Sequence, residues 1–139
     1  MIKTDIIHPP LLQALAQCGH KSNILIADAN YACINNAAEN ATRIYLNFAP
    51  GTVSSVLILE KLLQYINVER AVCMAWPDDF NNTIAAEYRA LLPAGMDIEQ
   101  RERADFYALA KSPDTHLVIA SGETRRFANL LLTVAPVIV

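Results

Sequence analysis

Two kinds of hydrophobic pattern alternate along the chain. Asn23 to Ala27 (NILIA), Ala71 to Trp76 (AVCMAW) and Thr115 to Ala120 (THLVIA) are short apolar runs, typical of strands buried on both faces of a sheet. Thr42 to Phe48 (TRIYLNF) alternates and is rich in β-formers, and Met96 to Arg101 gives a further short strand. The pattern therefore predicts five strands before the C-terminal segment.

Between these strands, apolar residues recur every three or four positions, which is the spacing of one helix face. Proline suits the first turn of a helix and glycine its end, so Pro10 and Gly19 bound the first predicted helix. The other predicted helices run from about Thr52 to Ile66, Asn82 to Leu92 and Ala104 to Lys111. Pro93 ends the helix from Asn82 to Leu92, because proline interrupts a helix interior.

Strands that alternate with helices are typical of an α/β fold. We therefore predict a single domain over residues 1–139, with a mostly parallel central sheet flanked by helices. The C-terminal stretch LLLTVAPVIV carries no charge, which predicts a last strand buried on both sides. Pro136 cannot donate a ladder hydrogen bond, so we expect it to mark an edge or a bulge, and such an apolar edge is a candidate subunit contact.

Composition narrows the class of protein. Of 139 residues, 53% are hydrophobic and 18% charged, so we expect part of the apolar surplus to lie in subunit interfaces. The net charge of −3 and the scattered basic residues give no footprint for nucleic acid. We expect neither export nor a membrane partner, because signal-peptide and membrane-spanning patterns are missing. Three cysteines without CxxC spacing indicate a reducing, cytoplasmic location.

His20 and Asp28 flank the first predicted strand. His20 follows the first helix, and Asp28 comes directly after the strand, so a helix end and a strand end can bring imidazole and carboxylate towards one cleft. A histidine, with an ordinary pKa of about 6.5, exchanges protons near neutral pH. Each residue also has a structural interpretation, His20 as a helix cap and Asp28 as a turn former. The spacing permits a pair and leaves these alternatives open.

A second group of polar residues follows the strand that ends at position 120. Ser121-Gly122-Glu123 leads through Arg125 and Arg126 to Phe127-Ala128-Asn129. Such a loop beside a strand end can bind sugar hydroxyls. The alternative is a solvated turn in which Gly122 supplies a positive φ and the arginines face water.

Other candidates carry less information. Arg103, just before the last predicted helix, is either a ligand clamp or a surface charge, and position alone favours the surface. His8, His20 and His116 have no metal-ligand spacing, so we expect no metal. No dinucleotide, P-loop or serine-hydrolase motif is present, so nothing indicates a protein of those classes. Three aromatic residues are expected in the core or an interface: Trp76, Tyr88 and Tyr107.

Several short motifs occur in a fixed order along the chain: Gly19-His20, Ile24 to Asp28 with Ala29, Arg103 with Phe106-Tyr107, and Ser121-Gly122-Glu123 through Asn129 to Leu132. Their order and separation resemble the L-fucose mutarotase and D-ribose pyranase family over nearly the whole chain. An arginine precedes Phe-Tyr here, as in the fucose branch, where the ribose branch places a histidine.

The resemblance implies a cofactor-free isomerase that interconverts the anomers or ring forms of a free monosaccharide, L-fucose or a related aldose. It also implies a ring-shaped homodecamer with sites at subunit boundaries. Position 127 departs from the family pattern, because the family usually has tyrosine where this chain has phenylalanine. The roles that the resemblance implies are His20 as the catalytic acid, Asp28, Arg103 and Asn129 as sugar ligands, and Phe127 and Ala128 as lining residues.

Two other functions stay open at this stage. The missing hydroxyl at Phe127 motivates a non-catalytic monosaccharide-binding or transport-accessory protein of the same fold. A purely structural α/β oligomer is a third possibility, and the polar residues at presumed strand ends make it the least favoured.

Overall fold

The computed structural model describes residues 1–139 and contains four helices and six strands. All six strands form one sheet, in the order β2-β5-β1-β6-β3-β4. In chain order the elements are α1 (Pro9–Gln17), β1 (Asn23–Ala27), β2 (Thr42–Tyr45), α2 (Ser55–Leu62), β3 (Asn67–Met74), α3 (Thr83–Leu91), β4 (Ile98–Arg101), α4 (Arg103–Ala110), β5 (Thr115–Ala120) and β6 (Leu130–Ala135).

The direction of β6 determines which strand ends lie on the same side of the sheet. β5 pairs in parallel with β1 and β2, and β3 pairs in parallel with β4. β6 lies between β1 and β3 and is antiparallel to both. The carboxyl ends of five strands and the amino end of β6 therefore share one side of the sheet, here called the carboxyl edge; the opposite side is the amino edge. The predicted α/β fold with a mostly parallel central sheet is confirmed.

Alternate residues of the central strands enter two apolar layers, because successive side chains of a strand point to opposite faces. On β6, Leu130 and Leu132 join the layer beneath α1, α2 and α3, whereas Leu131 joins the layer beneath α4 and the segment 28–41. All three leucines are fully buried. Both faces of the sheet are thus covered, as a mostly parallel sheet requires.

The boundaries of β1 and β5 are as predicted, and those of several other elements differ. The second helix begins at Ser55 rather than near Thr52, because Ser54 caps it by accepting a hydrogen bond from the Leu57 N–H at 3.1 Å. The predicted strand from Thr42 to Phe48 ends at Tyr45.

The expectation that Pro136 marks an edge or a bulge of the sheet was wrong. β6 occupies the middle of the sheet and ends at Ala135, so Pro136 follows the strand and interrupts no ladder. Residues 137–139 beyond it are exposed. The charge-free pattern correctly indicated burial on both sides.

Gly122 allows the loop after β5 to pack directly on the turn at residues 49–53. The Gly51 N–H donates to the Gly122 carbonyl and the Gly122 N–H donates to the Val53 carbonyl, each at 2.6 Å. A Cβ on Gly122 would stand 2.6 Å from the Ala49 carbonyl oxygen and closer still to that of Thr52. Gly122 does not have a positive φ, so the predicted reason for this glycine was wrong. Close backbone contact is what requires it.

A buried carboxylate ties the same loop to two helices. Glu123 is 5% exposed and accepts hydrogen bonds from the Ser55 hydroxyl and from the Arg125 guanidinium, each at 3.1 Å. The buried Tyr88 hydroxyl lies 2.7 Å from Ser55 Oγ and 2.6 Å from the Ala128 carbonyl oxygen. Burial alone would raise the pKa of the Glu123 carboxyl, but hydrogen bonds and charge from Arg125 hold that pKa below its ordinary value.

We expect Gly122→Ala to lower the free energy of unfolding by about 1–3 kcal/mol, because the new methyl group overlaps the turn backbone. Urea denaturation measures this. Gly19→Ala is the matched control, since a Cβ at Gly19 meets nothing within 4 Å. Its stability should stay within about 0.5 kcal/mol of the unsubstituted protein. Equal stability of the two variants would contradict the packing role of Gly122.

We expect Glu123→Gln to lower stability at pH 7 by about 1–3 kcal/mol, because a charged hydrogen bond to Arg125 is lost. A lowered carboxyl pKa contributes stability that is present above the unfolded pKa of about 4.3 and disappears as pH falls through the folded pKa. The free energy of unfolding, measured by urea denaturation from pH 7 to pH 3, should therefore decrease less steeply with falling pH in this variant than in the unsubstituted protein. Glu60→Gln, at an exposed position, should keep the original pH dependence. An unchanged pH dependence of stability in Glu123→Gln would contradict the account.

Candidate functional site

A cavity of about 230 Å³ opens at the carboxyl edge of the sheet. Its volume lies below the roughly 300–1,000 Å³ of clefts for drug-sized ligands, which suits a ligand of about one ring. Its walls come from the ends of β1 and β3, the start of α4 and the loop before β6. The lining residues are Asp28, Asn30, Tyr31, Met74, Arg103, Tyr107, Thr124, Arg125, Arg126, Phe127 and Asn129.

Asp28 and Asn129 form a pair joined by two hydrogen bonds. Asp28 directly follows β1 and Asn129 directly precedes the antiparallel β6, so the two residues meet at the same edge. The Asn129 amide donates to Asp28 Oδ2 at 3.1 Å and its Oδ1 accepts from the Asp28 N–H at 2.7 Å. One amide N–H of Asn129 is left for a ligand, because this side chain carries two donors.

The environment of Asp28 alters its acidity. Burial raises the pKa of the Asp28 carboxyl above its ordinary value, and hydrogen bonds from the backbone of Asn30 and Tyr31 and from the Asn129 side chain offset only part of that rise. The nearby Glu123 charge acts in the same direction as burial. A carboxylate with a raised pKa accepts a proton more readily near neutral pH, as a general base requires.

Arg43 fixes the segment 28–41 that carries Asp28 into the cavity. Its guanidinium donates to the backbone carbonyls of Cys33 at 2.9 Å, Ala41 at 3.0 Å and Ala38 at 3.1 Å. A planar fork of donors can satisfy several carbonyls at once. Arg43 therefore holds the segment in place through its backbone carbonyls, although the segment contains no regular secondary structure.

Phe127 forms an aromatic wall of the cavity. Its φ of 59° lies in the left-handed region, which bulky residues rarely adopt, and its ring meets that of Phe80 edge to face at 5.0 Å. Ala128, predicted to line the site, is fully buried behind this wall, and its carbonyl accepts from Tyr88. The structure thus brings Asp28, Arg103, Phe127 and Asn129 to one cavity, and places Ala128 beneath it.

Tyr31 and Tyr107 are cavity residues that the sequence analysis missed. Their rings meet edge to face at 5.8 Å. Tyr107 was expected in the core or an interface, whereas it lines the cavity beside Arg103. A usable signal was present, because Arg103 and Tyr107 are four residues apart in α4 and such residues share one helix face.

His20 lies at the amino edge, away from this cavity. Its Nε2 is 3.3 Å from Glu69 Oε2 on β3, and Lys21 Nζ is 2.5 Å from the other oxygen of the same carboxylate. His20 therefore contacts Glu69 rather than capping α1. The five residues of β1 span roughly 16 Å, so a single chain does not bring His20 and Asp28 into one cleft. A cavity of about 650 Å³ is lined in part by Lys21 and Glu69, the neighbours of His20.

Three further observations concern thiols, metal sites and membrane-spanning helices. Cys18, Cys33 and Cys73 are free thiols. No group of three or more His, Cys, Asp or Glu residues is placed to hold a metal ion. None of the helices has the length and hydropathy of a transmembrane segment.

The sequence matches known proteins along almost its whole length. The model of the RbsD / FucU transport protein family matches residues 1–137. Human fucose mutarotase is 31% identical over 136 residues, covering 91% of this chain and 87% of the relative. The D-ribose pyranase of Laribacter hongkongensis is 31% identical over 132 residues and covers 95% of each chain. Both names denote isomerases of free sugars, and the equal identities do not separate the two branches.

Solved structures share the fold. Bacillus subtilis RbsD complexed with D-ribose gives a TM-score of 0.85 at 27% identity, covering 99% of this chain and 100% of that one. The fucose mutarotase of Streptococcus pneumoniae in complex with L-fucose gives 0.78 at 27% identity, covering 95% of each chain. The resemblance inferred from the short motifs is confirmed, and this chain belongs to the RbsD/FucU family of sugar mutarotases and pyranases.

Proposed function

We propose that this chain is a monosaccharide mutarotase that interconverts anomers or ring forms of a free sugar, with L-fucose or a related aldose as substrate. The observation that carries the proposal is the Asp28–Asn129 pair in a small cavity with aromatic walls. Two structures with the same fold hold D-ribose and L-fucose, which supports a sugar of this size.

The reaction needs one proton acceptor and one proton donor. The anomeric hydroxyl loses its proton, the bond between the anomeric carbon and the ring oxygen breaks, and the ring oxygen gains a proton; closure on the other carbonyl face reverses these steps. Asp28, with its raised pKa, is suited to accept the hydroxyl proton. Asn129 and Arg103 donate hydrogen bonds to sugar hydroxyls, and Phe127 packs on the carbon face of the ring.

The donor in this proposal is His20 of the partner subunit. His20 is 46% exposed at the amino edge of its own chain, so its imidazole is accessible to a neighbouring molecule. The contact between Nε2 and Glu69 restrains the ring, and Nδ1 has no hydrogen-bond partner in its own chain. In the imidazolium form both ring nitrogens carry protons, so Nδ1 is the one free to donate. Docking of the amino edge of one subunit on the carboxyl edge of the next would complete each site.

Such docking fits a ring, which we propose to be a decamer in the reducing cytoplasm. Large apolar side chains stand exposed on one subunit, among them Tyr45 and Phe48 at the end of the edge strand β2 and Val137 to Val139 at the chain end. Exposed apolar edges of this kind are suited to burial between subunits. Multi-angle light scattering reports the subunit number.

A second function is favoured by one residue. Phe127 stands where the family usually has tyrosine, so a hydroxyl that hydrogen-bonds or relays a proton is missing. The same cavity would then bind a monosaccharide without catalysis, as in a transport-accessory protein.

Saturation-transfer NMR on L-fucose, D-ribose and D-galactose separates these functions. A mutarotase accelerates exchange between anomer signals, and His20→Ala should slow the catalysed exchange by about 10²–10⁴-fold while folding is retained. Absence of acceleration with every sugar would overturn the enzymatic proposal. Exchange that appears only in Phe127→Tyr would establish the binding function for the natural chain.

Mixing two inactive variants tests whether subunits share the site. We expect His20→Ala and Asp28→Asn to be inactive separately, and co-assembly in equal amounts to restore about one quarter of the activity, because about one quarter of the interfaces then join two intact partners. The control is His20→Ala mixed with the double variant, which should stay inactive. No recovery in co-assembled rings would contradict a shared site.

A further inference from the structure

Three guanidinium groups line the cavity, and two of them have no acidic partner. Arg125 contacts both Glu123 and Glu87, which neutralise it. Arg103 and Arg126 take part in no ion pair of the chain. Asp28 is the only carboxylate among the lining residues. Within one subunit the lining therefore has an excess of positive charge, and Arg126 is the part of it that binding a neutral sugar leaves unused.

Aromatic rings hold one of these cations in place. The Arg126 guanidinium carbon lies 5.0 Å from the centroid of Phe127 and 5.5 Å from that of Phe80. Both distances are within the roughly 6 Å range of cation–π attraction. Arg126 is thereby kept beside the wall against which a sugar ring would pack, with its N–H donors unused by any carboxylate.

The chemistry of guanidinium indicates what these donors recognise. A planar guanidinium binds a carboxylate through two parallel hydrogen bonds, which are stronger than those between neutral groups. L-Fucose carries a methyl group at C6, where an aldouronate carries a carboxylate. A ligand whose anomeric end lies at Asp28 and whose C6 carboxylate meets Arg126 would engage both of these lining residues.

We propose that the substrate of this site is a monosaccharide with a carboxylate at C6, a free aldouronate, whose anionic end is held by Arg126 with Arg103 in support. This rests on the proposed mutarotase function and narrows its substrate class. A sugar phosphate offers related chemistry, but Glu102 and Asp105 place negative charge at the start of α4 beside Arg103, which favours the singly charged group.

Anomer exchange at pH 7 tests the proposal with D-galacturonate and D-glucuronate against D-galactose, L-fucose and galactose 6-phosphate. We expect kcat/KM to be highest for a uronate. Arg126→Gln should lower the ratio of kcat/KM for the uronate to that for L-fucose by about 10- to 100-fold, because one charge-assisted contact is lost. Arg89→Gln is the matched control: Arg89 lies over Trp76, does not line the cavity, and should leave the ratio unchanged.

The outcomes are distinct. Faster exchange of neutral sugars than of uronates would overturn the acidic-sugar proposal and leave the mutarotase function standing. A preference for galactose 6-phosphate, or a uronate preference insensitive to Arg126→Gln, would overturn the carboxylate assignment. If no sugar exchanges, the mutarotase function itself fails, and isothermal calorimetry of uronate against L-fucose then decides the binding preference alone: equal or weaker uronate binding would contradict the role of Arg126.

Discussion

The two hydrogen bonds between Asp28 and Asn129 are the interaction on which the candidate site depends. These residues are 101 positions apart in the chain, and they meet because β6 enters the sheet antiparallel beside β1. A parallel sixth strand would place its preceding residue at the amino edge instead. The reversal of one buried strand thus supplies the carboxyl edge with a residue from the last loop of the chain.

The rest of the carboxyl edge supports that pair. Gly122 lets the loop after β5 lie directly against the turn at 49–53, and buried Glu123 bonds to Ser55 of α2, whose hydroxyl meets Tyr88 of α3. Arg43 performs the corresponding task for the segment after β1 by binding several of its carbonyls. Loops carry the chemistry here, but their backbones are fixed to the sheet and its helices, which keeps a small polar cavity in one shape.

The local hydrophobic pattern was sufficient to predict the strands that are buried along their whole length. β1 and β5 are unbroken apolar runs with polar ends, and their predicted boundaries coincide with the observed ones. The position of β6 was not predictable in this way, because Pro136 looks the same whether it interrupts an edge strand or follows a central one. Gly122 was identified without its cause, since the turn that crowds it lies about 70 residues earlier in the chain.

The order of elements was sufficient to place Asp28 and Asn129, because each lies next to a strand end at the carboxyl edge. Arg103 and Phe127 line the same cavity, but their roles came from the family resemblance, since position alone favoured a surface charge for Arg103. The separation of His20 from Asp28 was also implicit, since one precedes β1 and the other follows it. Contacts between subunits are absent from any local pattern, and for them the family resemblance was the only guide.

The central claim is that a sugar binds between the Asp28–Asn129 pair of one subunit and His20 of the partner subunit. A crystal structure of the assembled protein with an aldose or aldouronate bound tests it most directly. We expect the anomeric oxygen within hydrogen-bond distance of Asp28 and the imidazole of the partner subunit's His20 next to the ring oxygen. A sugar bound elsewhere, or His20 facing solvent in the complete assembly, would contradict the account.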